Sequence, residues 1–335
     1  DNTATLTQAA EMRLMHTIHP DAEKVLRDIH ADIWNLCNNH IMDAGQDGLA
    51  LTLQEAKKFG AKTIGVGMNM AEAARPLILD EAGGIGLFAV GYQRGCKPAG
   101  EDKGGCLSWS EMEIIRSTIQ EIKTKCRWCV VVAHGGEEFT AIPSPYTRER
   151  YHAYLEMGAD LVVCHHPHVP MNYETVGDKM IFYSLGNFIF DTDYQRAQFN
   201  TEKGILLKLH FTEDRYSFEA FGLKINRENE HIESAPLPRI FADIQEDDYN
   251  KLEPLAAKMF LAATKRQQLF LYPDKFKNAT EAQWKDHFYE EKRSGRVPGE
   301  ALDFQIIYPI AQEEAKGAWK ECKLEAVKAY ILEQM

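Results

Sequence analysis

Two short β-branched runs end in histidine. Cys129 to Ala133 closes on His134, and Leu161 to Cys164 closes on His165-His166-Pro167-His168. Imidazole nitrogens ligate first-row divalent ions and also move protons near neutral pH. Between the runs, Arg148 to Met157 has the pattern of a helix. Strand, helix, strand with short connections implies parallel neighbours joined by a right-handed crossover, so both clusters are expected at one sheet edge. A third apolar run, Ile33 to Cys37, leads into Asn38-Asn39-His40, and these residues are expected at the same edge.

Pro167 has a fixed φ and pushes His166 toward an extended backbone, which predicts His166 and His168 on one side and His165 on the other. Such a pair could chelate one or two divalent ions, with His134 as a third nitrogen. Adjacent histidines taken alone are equally well a polar loop. The second histidine at a neighbouring strand end favours the ligand reading.

The elements that must position these residues can be read around them. Asp21 to Ile29 and Gly48 to Phe59 are expected helices, the second stopped by Gly60. KTIGVG reads as a strand, and Pro76 to Asp80 with Gly84 to Tyr92 as two strands joined by EAGG. Ser110 to Lys125 reads as a helix with Ser110 and Glu113 as a capping box. Asn172 to Val176 and Lys179 to Ser184 form an expected hairpin, as do Gly204 to Phe211 and Tyr216 to Ile225. Beyond about Glu233 the composition turns to amphipathic helical segments near Asp247 to Arg266, Glu281 to Glu291 and Ala311 to Gln334. The division expected is a main domain over 1–235 and a helical extension over 236–335.

The chain has 335 residues and 44% hydrophobic content, ample for a core. No run of about 18 apolar residues exists. A net charge of −12 argues against nucleic acid as a partner and requires a local positive site for any anionic substrate. Bound cations would supply one. The chain does not open with Met, so its natural start is expected upstream, with room there for a signal or anchor. Cys126 and Cys129 are read as ordinary buried thiols, redox and zinc roles being the alternatives. Cys96 and Cys106 flank a glycine-rich loop that a disulfide would close if the protein works in an oxidising compartment.

Four blocks resemble the signatures of the bacterial capsule-synthesis CapA family, the poly-γ-glutamate capsule proteins of the calcineurin-like metallophosphoesterase superfamily. They are NLCNNHIMDAGQDGL (35–49), AHGGEEF (133–139), GADLVVCHHPHV (158–169) and IFYSLGNFIFD (181–191), in the family's order. The resemblance implies an α/β fold, a metallophosphoesterase-like α/β/β/α sandwich of two mixed sheets, to which the C-terminal helical extension is added. It implies Asn39, His134, His166 and His168 as metal ligands, and His40 as the catalytic group facing the leaving group. Asp43 is placed to orient the His40 imidazole, and Glu138 and Asn187 are further pocket candidates. The cofactors implied are divalent ions, Mn, Zn or Fe. Cys164 and Gly135 stand where the family commonly has Gly and Trp. The family's opening Gly-Asp strand and Asn-Leu-Glu block are not found before residue 30, and those acids would normally bridge two ions. The chain is therefore expected to hold at most one ion, loosely, and up to two with the upstream acidic motifs.

The activity implied is metal-dependent hydrolysis of a phosphoester or a γ-glutamyl bond in capsule or exopolymer synthesis. The alternative is a non-catalytic accessory that holds an anionic polymer while contacting other capsule-synthesis proteins. Location by resemblance is extracytoplasmic or membrane-associated.

Overall fold

The structure is a computed structural model that describes residues 21–92, 95–196 and 200–250, with positions 16, 198, 256, 278–280, 282–283 and 286. It is a mixed α/β fold, consistent with an α/β sandwich. Two compact units are present. The first holds the described residues up to His134 with Tyr154–Val163 and Phe211–Arg215, and the second holds Gly135–Ala153, Cys164–His210 and the described residues from Tyr216 on.

In the first unit, α1 (Ala22–Asp28) precedes β1 (Ile33–Asn35), α2 (Gly45–Phe59), β2 (Lys62–Ile64) and β3 (Val66–Gly67). There follow α3 (Met70–Ala73), β4 (Leu77–Leu79), β5 (Ile85–Gly91), β6 (Gly105–Cys106), α4 (Met112–Lys125) and β7 (Trp128–His134). KTIGVG is not one strand. The chain breaks at Gly65, whose φ is +82°, so β2 runs parallel to β1 while β3 pairs antiparallel with β6.

β5 runs parallel to β7, from Ile85 opposite Trp128 to Gly91 opposite His134. Both strands are apolar nearly throughout, as strands covered on two faces must be. α4 buries Ile115, Ile119 and Ile122, at the spacing of one helical face. Each such side chain contributes about 1.5–3 kcal/mol on leaving water. The expected capping box does not form. The helix starts after Glu111, and the Ser110 hydroxyl bonds Ser108 Oγ at 2.7 Å instead. Asp160 ties this layer together, because its Oδ2 accepts from Cys129 N–H at 2.7 Å and from Lys123 Nζ at 2.9 Å.

α5 (Pro145–Met157) and β8 (Leu161–His165) contribute residues to both units. The second unit continues with β9 (Tyr173–Val176), β10 (Lys179–Phe182), α6 (Asp193–Arg196), β11 (Lys203–Phe211), β12 (Tyr216–Asn226) and β13 (His231–Ala235). β9 and β10 form the expected antiparallel hairpin, and β11, β12 and β13 form a three-stranded sheet whose last strand was not anticipated. Residues after β13 return to β9. Tyr173 N–H donates to Ala242 O at 3.1 Å, Tyr173 O accepts from Ile244 N–H at 2.8 Å, and Phe241 joins a cluster of Tyr173, Phe182 and Phe218. Most of the predicted helical extension lies outside the described residues. No described helix is long and apolar enough to cross a membrane.

A buried ion pair holds α5 to β9. Arg148 grips Glu174 with two hydrogen bonds, at 3.0 and 2.5 Å, and Tyr183 OH donates to the same carboxylate at 2.6 Å. Burial alone would raise the Glu174 carboxyl, but His152, Arg148 and Tyr183 outweigh it and bring it down to about 2. A carboxyl depressed in the folded state contributes stability above its unfolded value, near 4.3, and loses it as pH falls through about 2. Glu174→Gln is expected to cost about 3 kcal/mol at pH 7 and to flatten acid unfolding between pH 4 and 2. Urea titrations across that range check this, and an unchanged acid limb would contradict it.

Candidate metal centre

The eight residues singled out from the sequence fall into two groups, one in each unit. In the first unit, His134 ends β7, and Asn39, His40 and Asp43 lie in the turn after β1. That turn is set by local bonds. Asn38 Oδ1 accepts from His40 N–H at 2.8 Å, and Asp43 N–H donates to His40 O at 3.0 Å.

The side chains of this group form a directed chain. Asp43 Oδ2 accepts from His16 N–H at 3.0 Å and lies 2.8 Å from His40 Nδ1. A carboxylate already accepting there assigns the Nδ1 proton to His40 and makes its Nε2 the acceptor. Asn39 Nδ2 donates to that Nε2 at 3.1 Å, so Asn39 Oδ1 takes the remaining bond, 3.0 Å from His134 Nε2. Two ligands of one first-row ion, each at about 2.1 Å, stand roughly 3.0–3.4 Å apart. The Asn39 and His134 atoms have that spacing, and His134 Nε2 would ligate an ion only after losing the proton that it here donates to Asn39 Oδ1. The ring of His16 meets His40 edge-on, with centroids 4.2 Å apart. Nothing in the spacing of the motifs pointed to His16.

In the second unit, the donor atoms of Glu138, His166 and His168 all lie within 4.8 Å of one another. His166 is buried, and the rings of His166 and His168 have centroids 5.9 Å apart. His165 is outside the set, and burial pulls its imidazole down to about 4. The route to this arrangement is not the extended one expected. His166 has φ +108° and His168 φ +63°, so the bend at Pro167 comes from left-handed backbone on both sides of the proline.

Phe139, at φ +61°, shares the conformation, and its N–H donates to Pro167 O at 2.8 Å. Gly135 N–H donates to His165 O at 3.0 Å, so the HGGEEF loop is laced to the histidine loop by backbone bonds. Burial pushes the Glu137 carboxyl up to about 7, against hydrogen bonds from Ser144 and Thr147.

Asn187 decides how His168 presents itself. Its Nδ2 donates to Thr201 O at 2.9 Å and to Gln195 Oε1 at 3.3 Å, which fixes the amide with Oδ1 toward His168. His168 Nδ1 lies 2.8 Å from that oxygen and must carry the proton. The ring's lone pair is thereby placed on Nε2, the arrangement of a metal-binding histidine held from behind by an acceptor. Phe139 and Phe190 stack on His168 with centroids 5.8 and 5.1 Å away, limiting its rotation. The alternation of FIF carried some signal for Phe190, whereas Phe139 had none beyond its place beside Glu138.

The description "Bacterial capsule synthesis protein PGA_cap" belongs to a family model that matches residues 3–192. The chain is 32% identical over 182 residues to the PGA biosynthesis protein CapA of Bacillus subtilis, covering 53% of this chain and 47% of that protein. It is 27% identical over 214 residues to the capsule biosynthesis protein CapA of Bacillus anthracis, covering 62% and 51%. A probable polyglutamine synthesis accessory protein of Mycobacterium tuberculosis is 25% identical over 197 residues, covering 52% and 50%. The chain thus spans about half the length of the curated relatives it matches.

Asn187 is held at its backbone by β11, where Gly186 bridges Gly204 and Asn187 N–H donates to Lys203 O. A Cβ on Gly204 would stand 2.0 Å from Asn187 O. Gly204→Ala is expected to destabilise the protein by about 2–4 kcal/mol, because backbone must move. A urea midpoint equal to that of the unsubstituted chain would show that the close approach is not needed.

Proposed function

Because the chain belongs to the bacterial capsule synthesis protein PGA_cap family, we propose that it acts in making an anionic capsule or exopolymer of poly-γ-glutamate type, as a metal-dependent hydrolase of a phosphoester or γ-glutamyl bond. The observation that carries the reading is the Asn187-held His168, whose lone pair sits within one donor set with Glu138 and His166. Those three residues would hold a divalent cation, Mn, Zn or Fe, and Asn39 with His134 offers a second pair of donors. When bound, such an ion lowers the pKa of a ligated water and offsets charge on an attacked oxygen. It also answers an electrostatic need, since a chain of net charge −12 would otherwise repel a polyanion.

His40 is assigned the proton transfer. Its Nδ1 proton is held by Asp43, so the nitrogen that gains and loses a proton is Nε2, which Asn39 now faces. A positioned general acid of this kind contributes roughly 10²–10⁴ in rate. The location proposed is extracytoplasmic or membrane-associated, beside other capsule-synthesis proteins.

A second reading, a non-catalytic accessory that holds the polymer through the cation, is favoured by Asp43. The one carboxylate among the Asn39 group is already occupied by His16 and His40 and so does not serve as a bridging ligand.

Elemental analysis coupled to hydrolysis of an aryl phosphodiester and of poly-γ-glutamate tests both readings. One loosely held ion per chain is expected, with turnover that requires it. His168→Ala should abolish binding, and Asn187→Ala should weaken it by about 10–100-fold. His40→Asn should keep the ion and lower turnover by roughly 10²–10⁴. Ion binding without turnover on either substrate would leave the accessory reading, and undiminished binding in His168→Ala would remove the metal assignment.

A further inference from the structure

Three cysteines that the proposed chemistry does not use meet in the first unit. The Sγ atoms of Cys37, Cys96 and Cys106 all lie within 4.8 Å of one another, and all three residues are fully buried. They come from separate segments: Cys37 follows β1, Cys96 follows β5, and Cys106 ends β6. The backbone enforces the meeting. Cys106 N–H donates to Lys97 O at 2.9 Å, and Ala99 N–H donates to Cys106 O at 2.9 Å, so the residue after Cys96 is laced directly to Cys106. Gly91 makes the room, since a Cβ there would stand 2.5 Å from Cys96 Sγ and 2.8 Å from Cys37 Sγ.

Converging sulfurs suit either a thiophilic cation or thiol–disulfide chemistry, and the surroundings choose between them. A cation would require three thiolates, leaving net negative charge around a divalent ion in a dry place. Each sulfur faces a carbonyl oxygen instead. Cys37 Sγ lies 3.9 Å from Leu107 O, Cys96 Sγ 3.9 Å from His134 O, and Cys106 Sγ 3.8 Å from Asn38 O. Such acceptors suit S–H donors and repel thiolates. A disulfide and one thiol leave every group neutral, which burial favours.

We propose that Cys96 and Cys106 form a disulfide that closes the loop over residues 97–105, with Cys37 held beside it as a third thiol able to exchange into the bond. None of the three is bonded in this structure, which therefore has the cluster in its reduced form.

The oxidant is a disulfide, RSSR, of a small thiol or an oxidoreductase. Cys106 thiolate attacks it, forming a mixed disulfide and releasing one RS⁻. The Cys96 thiolate then displaces the second RS⁻. Two cysteine S–H bonds and RSSR thus become one protein S–S bond and two RSH. Since none of these three sulfurs is exposed in the folded chain, the bond forms while the loop is still open during folding. Once made, it replaces the S–H contacts of Cys96 with His134 O and of Cys106 with Asn38 O by a covalent tie between the segment after β5 and β6. This inference is independent of the metal reading.

Refolding the full chain in a glutathione redox buffer, followed by alkylation in denaturant and peptide mass spectrometry, tests it. The expected result is a Cys96–Cys106 link with Cys37 alkylated, and a Tm about 5 °C lower after reduction. Cys37→Ser should keep the link, and Cys106→Ser should move it to Cys37–Cys96. The mapping of the unsubstituted chain stands even if a variant fails to fold. Three alkylated cysteines without reductant, a Cys37 link in place of Cys96–Cys106 as the main species of the unsubstituted chain, or a stoichiometric thiophilic metal released with the thiols would each overturn the proposal.

Discussion

The side-chain amide of Asn187 is the constraint on which the second unit's candidate site depends. An amide can present either its oxygen or its nitrogen, and two acceptors, Thr201 O and Gln195 Oε1, leave Asn187 only one choice. That choice sets the His168 proton on Nδ1 and the lone pair on Nε2. The support runs further back through Thr201, whose hydroxyl donates to Gln195 O at 2.5 Å and accepts from Arg227. Arg227 is itself held by Asp191, at the end of the same motif that supplies Asn187. A neutral ring orientation is thus secured by a buried network rather than by the loop that carries the histidine.

That loop is strained. Non-glycine residues in the left-handed region cost on the order of 1–3 kcal/mol each, and they persist only where surrounding structure over-determines them. Phe139, His166 and His168 all adopt it, and they meet around Pro167. The backbone bonds from Phe139 to Pro167 and from Gly135 to His165, with Phe139 and Phe190 stacked on His168, supply the over-determination. The first unit solves its positioning problem differently. There the chain from Asp43 through His40 and Asn39 to His134 passes a fixed donor and acceptor sense from one side chain to the next.

Much of this was legible in the sequence because the periodic elements carry their own signals. The buried runs around β5 and β7, the stop of α2 at Gly60 and the turn at Gly177 follow from apolar patterning and glycine alone. Motif order singled out Asn39, His40, Asp43, His134, Glu138, His166, His168 and Asn187 as candidates, but their division into one group in each unit was not read from it. What sequence did not carry was anything decided by competition among side chains or by tertiary contact. The proline rule pointed His166 to an extended backbone, and the backbone bonds around Pro167 overrode it. The Ser110 cap lost to a bond with Ser108, and the contact of His16 with Asp43 joins residues 27 positions apart with no motif between them.

The His168 tautomer can be read directly in solution. Two-bond nitrogen-15 to proton correlation spectra of histidine-labelled protein, with His168 assigned by substitution, report which ring nitrogen carries the proton. The expected result is a His168 protonated at Nδ1, with the Nε2 resonance shifting on addition of Zn(II). An Nε2-protonated His168, indifferent to the ion, would contradict it.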